Sequence, residues 1–437
     1  MILRSYKVSS VELTFLVFLL IDVTALQTRN WCLNRFFISG IKMTELQGDE
    51  DACNEGVQNL VSKHPEIETV SFGETRNQVT DKGLQSLLTA PCMKSVDIRG
   101  SFTGETISLR SNTAQYLQEL TLKECFLLTD SGLFNILEGC TPALKSLRVT
   151  QNSNLTGEGL KSLEGKFRHL ETLDFKDVNN LTAEGASDIV RMSGNRLKSL
   201  DLNADKVTGN TMNTLVQGKL DNLKSLYFRP GPNFTHQDCV EILKKCGTSL
   251  IFLIIYFKSS VIGEGFSALQ GKFNNLNTLG LVIPSLTDRG FQEFLKMSGN
   301  GLENLVFLGN PQLTCRGLHE FRGRFPNLKR LNVMICTELA DEGLSELLNL
   351  CGSELQFLRV ERTNVSGVGL NVPSGKLSNL TELTLRDCSL IDEDGLSSLL
   401  NLCSDKLKTL GISRVNISEE FLVNVQESLP GLRIVRN

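Results

Sequence analysis

The sequence predicts an α/β solenoid: a stack of short coils, each contributing one parallel strand and a helical return. Three observations carry this prediction. A Leu-x-x-Leu-x-Leu pattern recurs with first positions at Ile67, Met93, Leu117, Leu144, Leu170, Leu197, Leu223, Leu250, Leu276, Leu302, Leu328, Leu355, Leu380, Leu407 and Leu432. Neighbouring starts are 24 to 27 residues apart, mostly 26 or 27. A second motif, Leu-Thr-x-x-Gly-Leu, follows the turn, as in "LTGEGL" (Leu155 to Leu160). The third observation is composition: 41% hydrophobic and 22% charged residues in a 437-residue chain suit one long folded array.

Each element follows from the spacing. In "LKSLDL" (Leu197 to Leu202) the leucines at positions one, four and six turn inward, and Lys198, Ser199 and Asp201 point out. After the turn, "LTGEGL" buries a leucine and offers Thr156 as a helix N-cap. No single coil buries its own apolar face, so stability comes from stacking. A two-coil period overlies the single one: "EGKFRHL", "QGKLDNL", "QGKFNNL" and "RGRFPNL" alternate with "MSGNRL", "KCGTSL", "MSGNGL" and "LCGSEL".

These repeats resemble leucine-rich repeats of the ribonuclease-inhibitor-like class, and most closely the cysteine-containing repeats of F-box and mitotic-exit-antagonist proteins. The residues that carry the resemblance are "LTLKECFLLTDSGL" (Leu120 to Leu133), "LNVMICTELADEGL" (Leu331 to Leu344) and "LTLRDCSLIDEDGL" (Leu383 to Leu396). The resemblance implies a horseshoe with a parallel concave sheet and convex helices, about 15 repeats of 26–27 residues, over residues 67–437. It also implies one alternative function, the substrate-recognition subunit of an F-box-type ubiquitin ligase.

The cysteines read as repeat positions. Cys125, Cys336 and Cys388 each fall eight residues after a repeat start, where a small buried side chain belongs, and Cys140, Cys246, Cys351 and Cys403 fall at helix ends. No Cys-x-x-Cys occurs, so no zinc or redox pair is expected. Six sequons, at Asn154, Asn180, Asn233, Asn364, Asn379 and Asn416, are candidate glycosylation sites. Most lie at the turn, where Asn suits the bend and Thr the cap, so they are compatible with secretion without requiring it.

The N-terminal residues leave three readings open. Residues 1–25 form a candidate signal peptide, with Arg4 and Lys7 before an apolar run and Val23-Thr24-Ala25 as the cleavage site. Alternatively, Glu12-Leu13, Val17-Phe18, Ile21-Asp22, Leu26 and Trp31 resemble an F-box across residues 11–45, which would dock a ubiquitin-ligase adaptor. Translation from Met43 is the third reading. Residues 26–66 are expected to form an N-terminal segment and capping helix. The first reading makes the protein secreted; otherwise it is cytoplasmic. The apolar run is too short for a transmembrane span. At the other end the last coil stops at Val435, which leaves one short open strand.

No catalytic, metal or cofactor motif is found. His64, His169, His236 and His319 fall in different coils, and "HEFRG" at His319 lacks the second histidine of a zinc-protease helix. Acidic pairs such as Asp341-Glu342 sit at helix starts, where the dipole favours them. With a net charge of −4 there is no basic stripe for nucleic acid. The chain is therefore expected to be a non-enzymatic solenoid that binds another protein. Outward strand residues are charged in early coils (Lys145, Arg148, Glu171, Asp174, Lys198, Asp201) and mixed in late ones (Arg330, Arg359, Glu382, Lys408). Between them "LIFLIIYF" (Leu250 to Phe257) makes the face apolar. The expected partner-binding residues are Tyr227, Ile251, Phe252, Ile254, Tyr256 and Val306, unless these side chains pack against one another.

Overall fold

The computed structural model describes residues 50–72, 79–110, 113–204, 220–231, 234–257, 263–321 and 325–436. The signal-peptide, F-box and Met43 readings, and Asn233, lie outside the described residues. The chain divides into two compact units, residues 1–203 and 204–437.

In the first unit the strands are β1 (Thr69–Ser71), β2 (Ser95–Ile98), β3 (Glu119–Lys123), β4 (Ser146–Thr150), β5 (Thr172–Phe175) and β6 (Ser199–Ala204). Each pairs in parallel with the next. Its helices are α1 (Glu50–Lys63), α2 (Asp81–Leu88), α3 (Asp130–Gly139) and α4 (Ala183–Met192). In the second unit β7 (Ser225–Pro230), β8 (Phe252–Tyr256), β9 (Thr278–Val282), β10 (Asn304–Leu308), β11 (Arg330–Met334), β12 (Phe357–Glu361), β13 (Glu382–Arg386), β14 (Thr409–Ser413) and β15 (Arg433–Arg436) form the same sequential ladder. Its helices are α5 (His236–Lys245), α6 (Asp288–Met297), α7 (Asp341–Leu350), α8 (Glu393–Leu400) and α9 (Glu419–Ser428).

Several strands end at or just before a left-handed residue. Glu124, Gln151, Asp177, Ile335, Arg362, Asp387 and Arg414 all have φ between 50 and 58°, each seven residues after a repeat start. This turn aims the following side chain inward. Cys125, Cys336 and Cys388 occupy that inward slot and are fully buried. Asn152 and Asn310 occupy the same slot in neighbouring coils. The Asn152 Oδ1 accepts from the Cys125 N–H at 2.7 Å, and its Nδ2 donates to the Leu122 and Thr150 carbonyls at 3.0 and 2.9 Å. One small polar side chain thus satisfies backbone groups that the bend frees.

The two-coil period appears as an alternation of helix types. The coils of α3 and α4 flank one whose return is a 3₁₀ turn (Lys161–Leu163), and those of α5, α6, α7 and α8 alternate with 3₁₀ returns (Phe266–Leu269, Leu318–Phe321) and, between Ser366 and Lys376, an irregular one. Here the expectation for Thr156 is corrected. Gly157 and Gly159 have φ of 79 and 87°, outside the helical region, so "LTGEGL" opens no α-helix. Thr156 is instead a donor to the previous coil, its backbone N–H to Asp130 Oδ1 at 3.1 Å and its hydroxyl to Oδ2 at 2.5 Å. The helix caps are Thr129, Thr182, Thr235 and Thr287, whose hydroxyls accept from the N–H three residues on.

The same contact recurs along the chain. Asp81, Asp130, Asp288 and Asp341 open α2, α3, α6 and α7, and each accepts backbone N–H bonds from the next coil, at Gly104, Gly157, Cys315 and Gly367. The "GK" motifs close the other end. Gly165, Gly271 and Gly375 take φ near 67–68°, and the lysine that follows reaches back to the preceding helix C-terminus. Lys166 donates to the Glu138 carbonyl, Lys272 to that of Lys244 and Lys376 to that of Cys351, each at 2.6 Å. A cation there complements the negative end of the helix dipole.

Burial disfavours the thiolate form of the enclosed cysteines. Cys140, Cys246 and Cys351 end their helices and point their Sγ at the carbonyl four residues back, at 3.4–3.6 Å. Burial pushes their pKa, and those of Cys125 and Cys336, up to about 12. Thiolate is the reactive form. Native alkylation near pH 8, read by peptide mass spectrometry, is therefore expected to modify the half-buried Cys92 while sparing these five until denaturant is added.

Candidate protein-interaction face

Alternate strand residues point to the core, and the others form the sheet face turned away from the helices. In the first unit this face is polar and half-open. Glu171 pairs with Lys198 at 2.8 Å, Arg99 with Glu124 at 3.5 Å, and the Ser71 hydroxyl donates to Asp97 at 3.1 Å. Parallel register sets Asp174 on β5 between Arg148 on β4 and Asp201 on β6. Burial pushes the Asp174 carboxyl up, against the opposing pull of a 3.0 Å bond from the Lys176 N–H and the positive charges of Arg148 and Lys176.

Asp81 shows the opposite sign. Burial raises its pKa, but the hydroxyl of Thr106, the N–H groups of Gly104 and Thr106 and the hydroxyl of Thr103 together outweigh it, and the net shift is downward. A depressed carboxylate pKa contributes stability that is complete above the unfolded value of about 3.9 and is lost as pH falls through the folded value. Replacing Asp81 with Asn should flatten that acid limb in melts recorded across the acid range. An unchanged limb would remove Asp81 as its source.

In the second unit the face changes character. Four of the expected partner-binding residues are closed off within the chain: Tyr227 is 5% exposed, Ile254 1%, Tyr256 8% and Val306 2%. Part of this closure is local. The Ile254 side chain leans over Gly280, where a Cβ would lie 2.9 Å from its Cγ1. The Arg229 guanidinium sits 4.9 Å from the Tyr256 ring centroid. Phe252 is half-buried, and Ile251, 43% exposed, stands clear just before β8. Leu250, Leu253, Ile255 and Phe257 are fully buried, so with Ile254 and Tyr256 six of the eight "LIFLIIYF" residues are enclosed.

Further along, at β12–β14, the face opens again. Its polar groups there include a cluster that the sequence reading passed over. Asp387 lies between Arg362, whose Nε is 3.3 Å away, and Arg414, whose Nη1 is at 3.2 Å. Its signal is weak, three charged residues at the left-handed position of successive coils. Of the candidate glycosylation sites, Asn154, Asn180, Asn364 and Asn416 are exposed and Asn379 is half-buried. Asn180 and Asn379 spend a side-chain N–H on a carbonyl of the preceding coil, Ser153 and Ser353, at 2.6 and 2.7 Å. Among the described residues no group of three metal-binding side chains occurs, and no helix is long and apolar enough to cross a membrane.

No family model matches the chain. Over 307 residues, 68% of its length, the chain is 22% identical to a Caenorhabditis elegans protein named "Putative RNA-binding protein EEED8.10". It spans 39% of that protein's length. Among solved structures it is similar to the LRR protein LIC12759 of Leptospira interrogans, at 14% identity and a TM-score of 0.49, covering 85% of this chain and 90% of that one. It is also similar to a chain in the crystal structure of the yeast Rad7 and Elc1 complex, at 16% identity and a TM-score of 0.51, covering 89% and 88%. The fold is a leucine-rich repeat solenoid. Its units are the coils described above, and at these identities the likeness extends to the fold alone.

Proposed function

We propose that this leucine-rich repeat solenoid is a protein-binding module that engages its partner through the sheet face of the second unit. The observation that carries this reading is the apolar edge at the start of β8. Ile251 is exposed and Phe252 half-buried, beside an apolar cluster already closed within the chain. Exposed apolar side chains next to a packed core and a polar rim are the usual composition of an interface centre. Tyr227, Ile254, Tyr256 and Val306 are buried on the same face and are not contact residues in this reading.

The test separates these two roles. Ile251→Asp and Phe252→Asp should reduce capture of the proteins that co-purify with the full chain, with Tm within about 2 °C of wild type. Val306→Asp buries a charge on a fully enclosed strand and should lower stability itself. If Ile251→Asp captures the same proteins as wild type, the edge is not the interface.

A further inference from the structure

At the ends of β12, β13 and β14 the chain turns through Arg362, Asp387 and Arg414, with φ of 50, 51 and 51°. The Asp387 carboxylate draws in three guanidiniums, with Arg386 Nε at 3.9 Å beyond the two closer contacts of Arg362 and Arg414. Beside them Arg359 closes on Glu361 at 2.7 Å. Four guanidiniums thus meet two carboxylates, and the cluster keeps an excess of positive charge. Arg386 Nε is enclosed and has no hydrogen-bond partner among the described residues, because 3.9 Å is ion-pair distance and too long for a hydrogen bond. Strand register sets Thr384 beside Gly411, next in the row after Arg359, so the floor there carries no bulky side chain. Thr384, Arg386 and Gly411 remain half-open, unlike the closed face at β9 and β10.

We infer that this cluster docks an extended, Asp/Glu-rich segment of a partner protein. The inference rests on the reading of the chain as a protein-binding solenoid. Guanidinium forks match carboxylates in plane and number of donors, and Asp387 holds three of them in place before a ligand arrives. The two resident carboxylates favour singly charged groups spread along a peptide over one phosphoryl dianion. RNA would need a longer basic track and free aromatic faces for base stacking. Phe357, the aromatic residue of β12, already has the Arg330 guanidinium over its ring, 3.8 Å from the centroid.

The test is fluorescence anisotropy of a labelled oligo-glutamate peptide with the full-length chain, at low and at physiological salt. Wild type should bind, and more weakly as salt rises. Arg386→Glu should weaken binding roughly tenfold or more, and Arg386→Lys, which keeps the charge but loses the fork, should fall between. Arg414→Gln, at a side chain 74% exposed, should weaken it without moving Tm. Arg316→Glu, which changes charge equally at a residue paired with Glu342, should bind as wild type does. No peptide binding, or binding indifferent to Arg386 and Arg414, overturns the inference. So does preferential binding of a phosphoserine peptide or of oligouridine. If peptide binding fails while Ile251-dependent capture persists, this inference falls and the protein-binding reading stands.

Discussion

Gly343→Ala is expected to destabilise the second unit by about 3 kcal/mol, the upper end of what overpacking costs. By helix propensity alone the change should help by about 1 kcal/mol, since Gly343 is the third residue of α7. The packing reverses the sign. A Cβ at Gly343 would lie 1.9 Å from the Thr314 carbonyl oxygen and 2.7 Å from Leu339 Cδ1. Backbone cannot swing aside as a side-chain tip can, so the coils must separate. The same approach occurs at Gly132, Gly185 and Gly395, at 1.8, 1.9 and 1.9 Å from the carbonyls of Thr103, Thr156 and Ser366. Gly431 is the control: among the described residues beyond its chain neighbours, no heavy atom lies within 4 Å of an added Cβ, so Gly431→Ala should stay within about 0.5 kcal/mol. Urea denaturation measures both, and equal midpoints for Gly343→Ala and wild type would refute the clash.

Asp341→Ala should cost about as much, for an electrostatic reason. Its carboxylate accepts from the N–H groups of Ser366, Gly367 and Gly369 at 3.0, 2.8 and 3.1 Å and from the Ser366 hydroxyl at 2.5 Å. Removing it orphans donors that have no helix of their own to bond to, because the coil after α7 is irregular there. Bonds to a charged acceptor contribute about 1.5–3 kcal/mol each, and partial rehydration of the exposed donors keeps the total near 3 kcal/mol. Asn keeps one acceptor oxygen and should fall between Ala and wild type. A double-mutant cycle with Ser366→Ala should show coupling, since the two side chains share one bond. Additive effects would mean that the carboxylate acts through something else.

Both predictions reinterpret one motif. Asp341 and Gly343 belong to "LADEGL", with Ala340 at the cap position, and "LTDSGL" is the same motif with Thr129 there. In the structure Thr caps its own helix, Asp holds the next coil, and Gly admits the previous one. The sequence showed the residues and their period; the two inter-coil partners are some 26 residues away, so no local pattern could reveal them. The Thr156 expectation failed for the same reason. Its local context resembles a cap, but its hydroxyl is committed to Asp130 one coil back.

The candidate face was legible in part. The unbroken apolar run singles out Ile251 and Phe252, which the structure leaves exposed and half-buried, because polarity along a strand is a one-dimensional signal. Their neighbours Tyr227, Ile254, Tyr256 and Val306 carry the same signal, yet the structure encloses them. The Asp387 cluster escaped notice because its members are single charges on separate coils, 25 and 27 residues apart.

The sequence by itself determined the class of fold, the register of the coils and the inward residues, since a 26–27-residue period with alternating leucines has one way to bury its apolar side. It also marked Cys125, Cys140, Cys246, Cys336, Cys351 and Cys388 as core positions, while Cys403 is half-buried. Only the tertiary structure decided which returns are helical, which outward strand residues remain accessible and which charges share a carboxylate. Burial and ion pairing depend on what the neighbouring coils place within a few ångströms, and that distance is not written in any one coil.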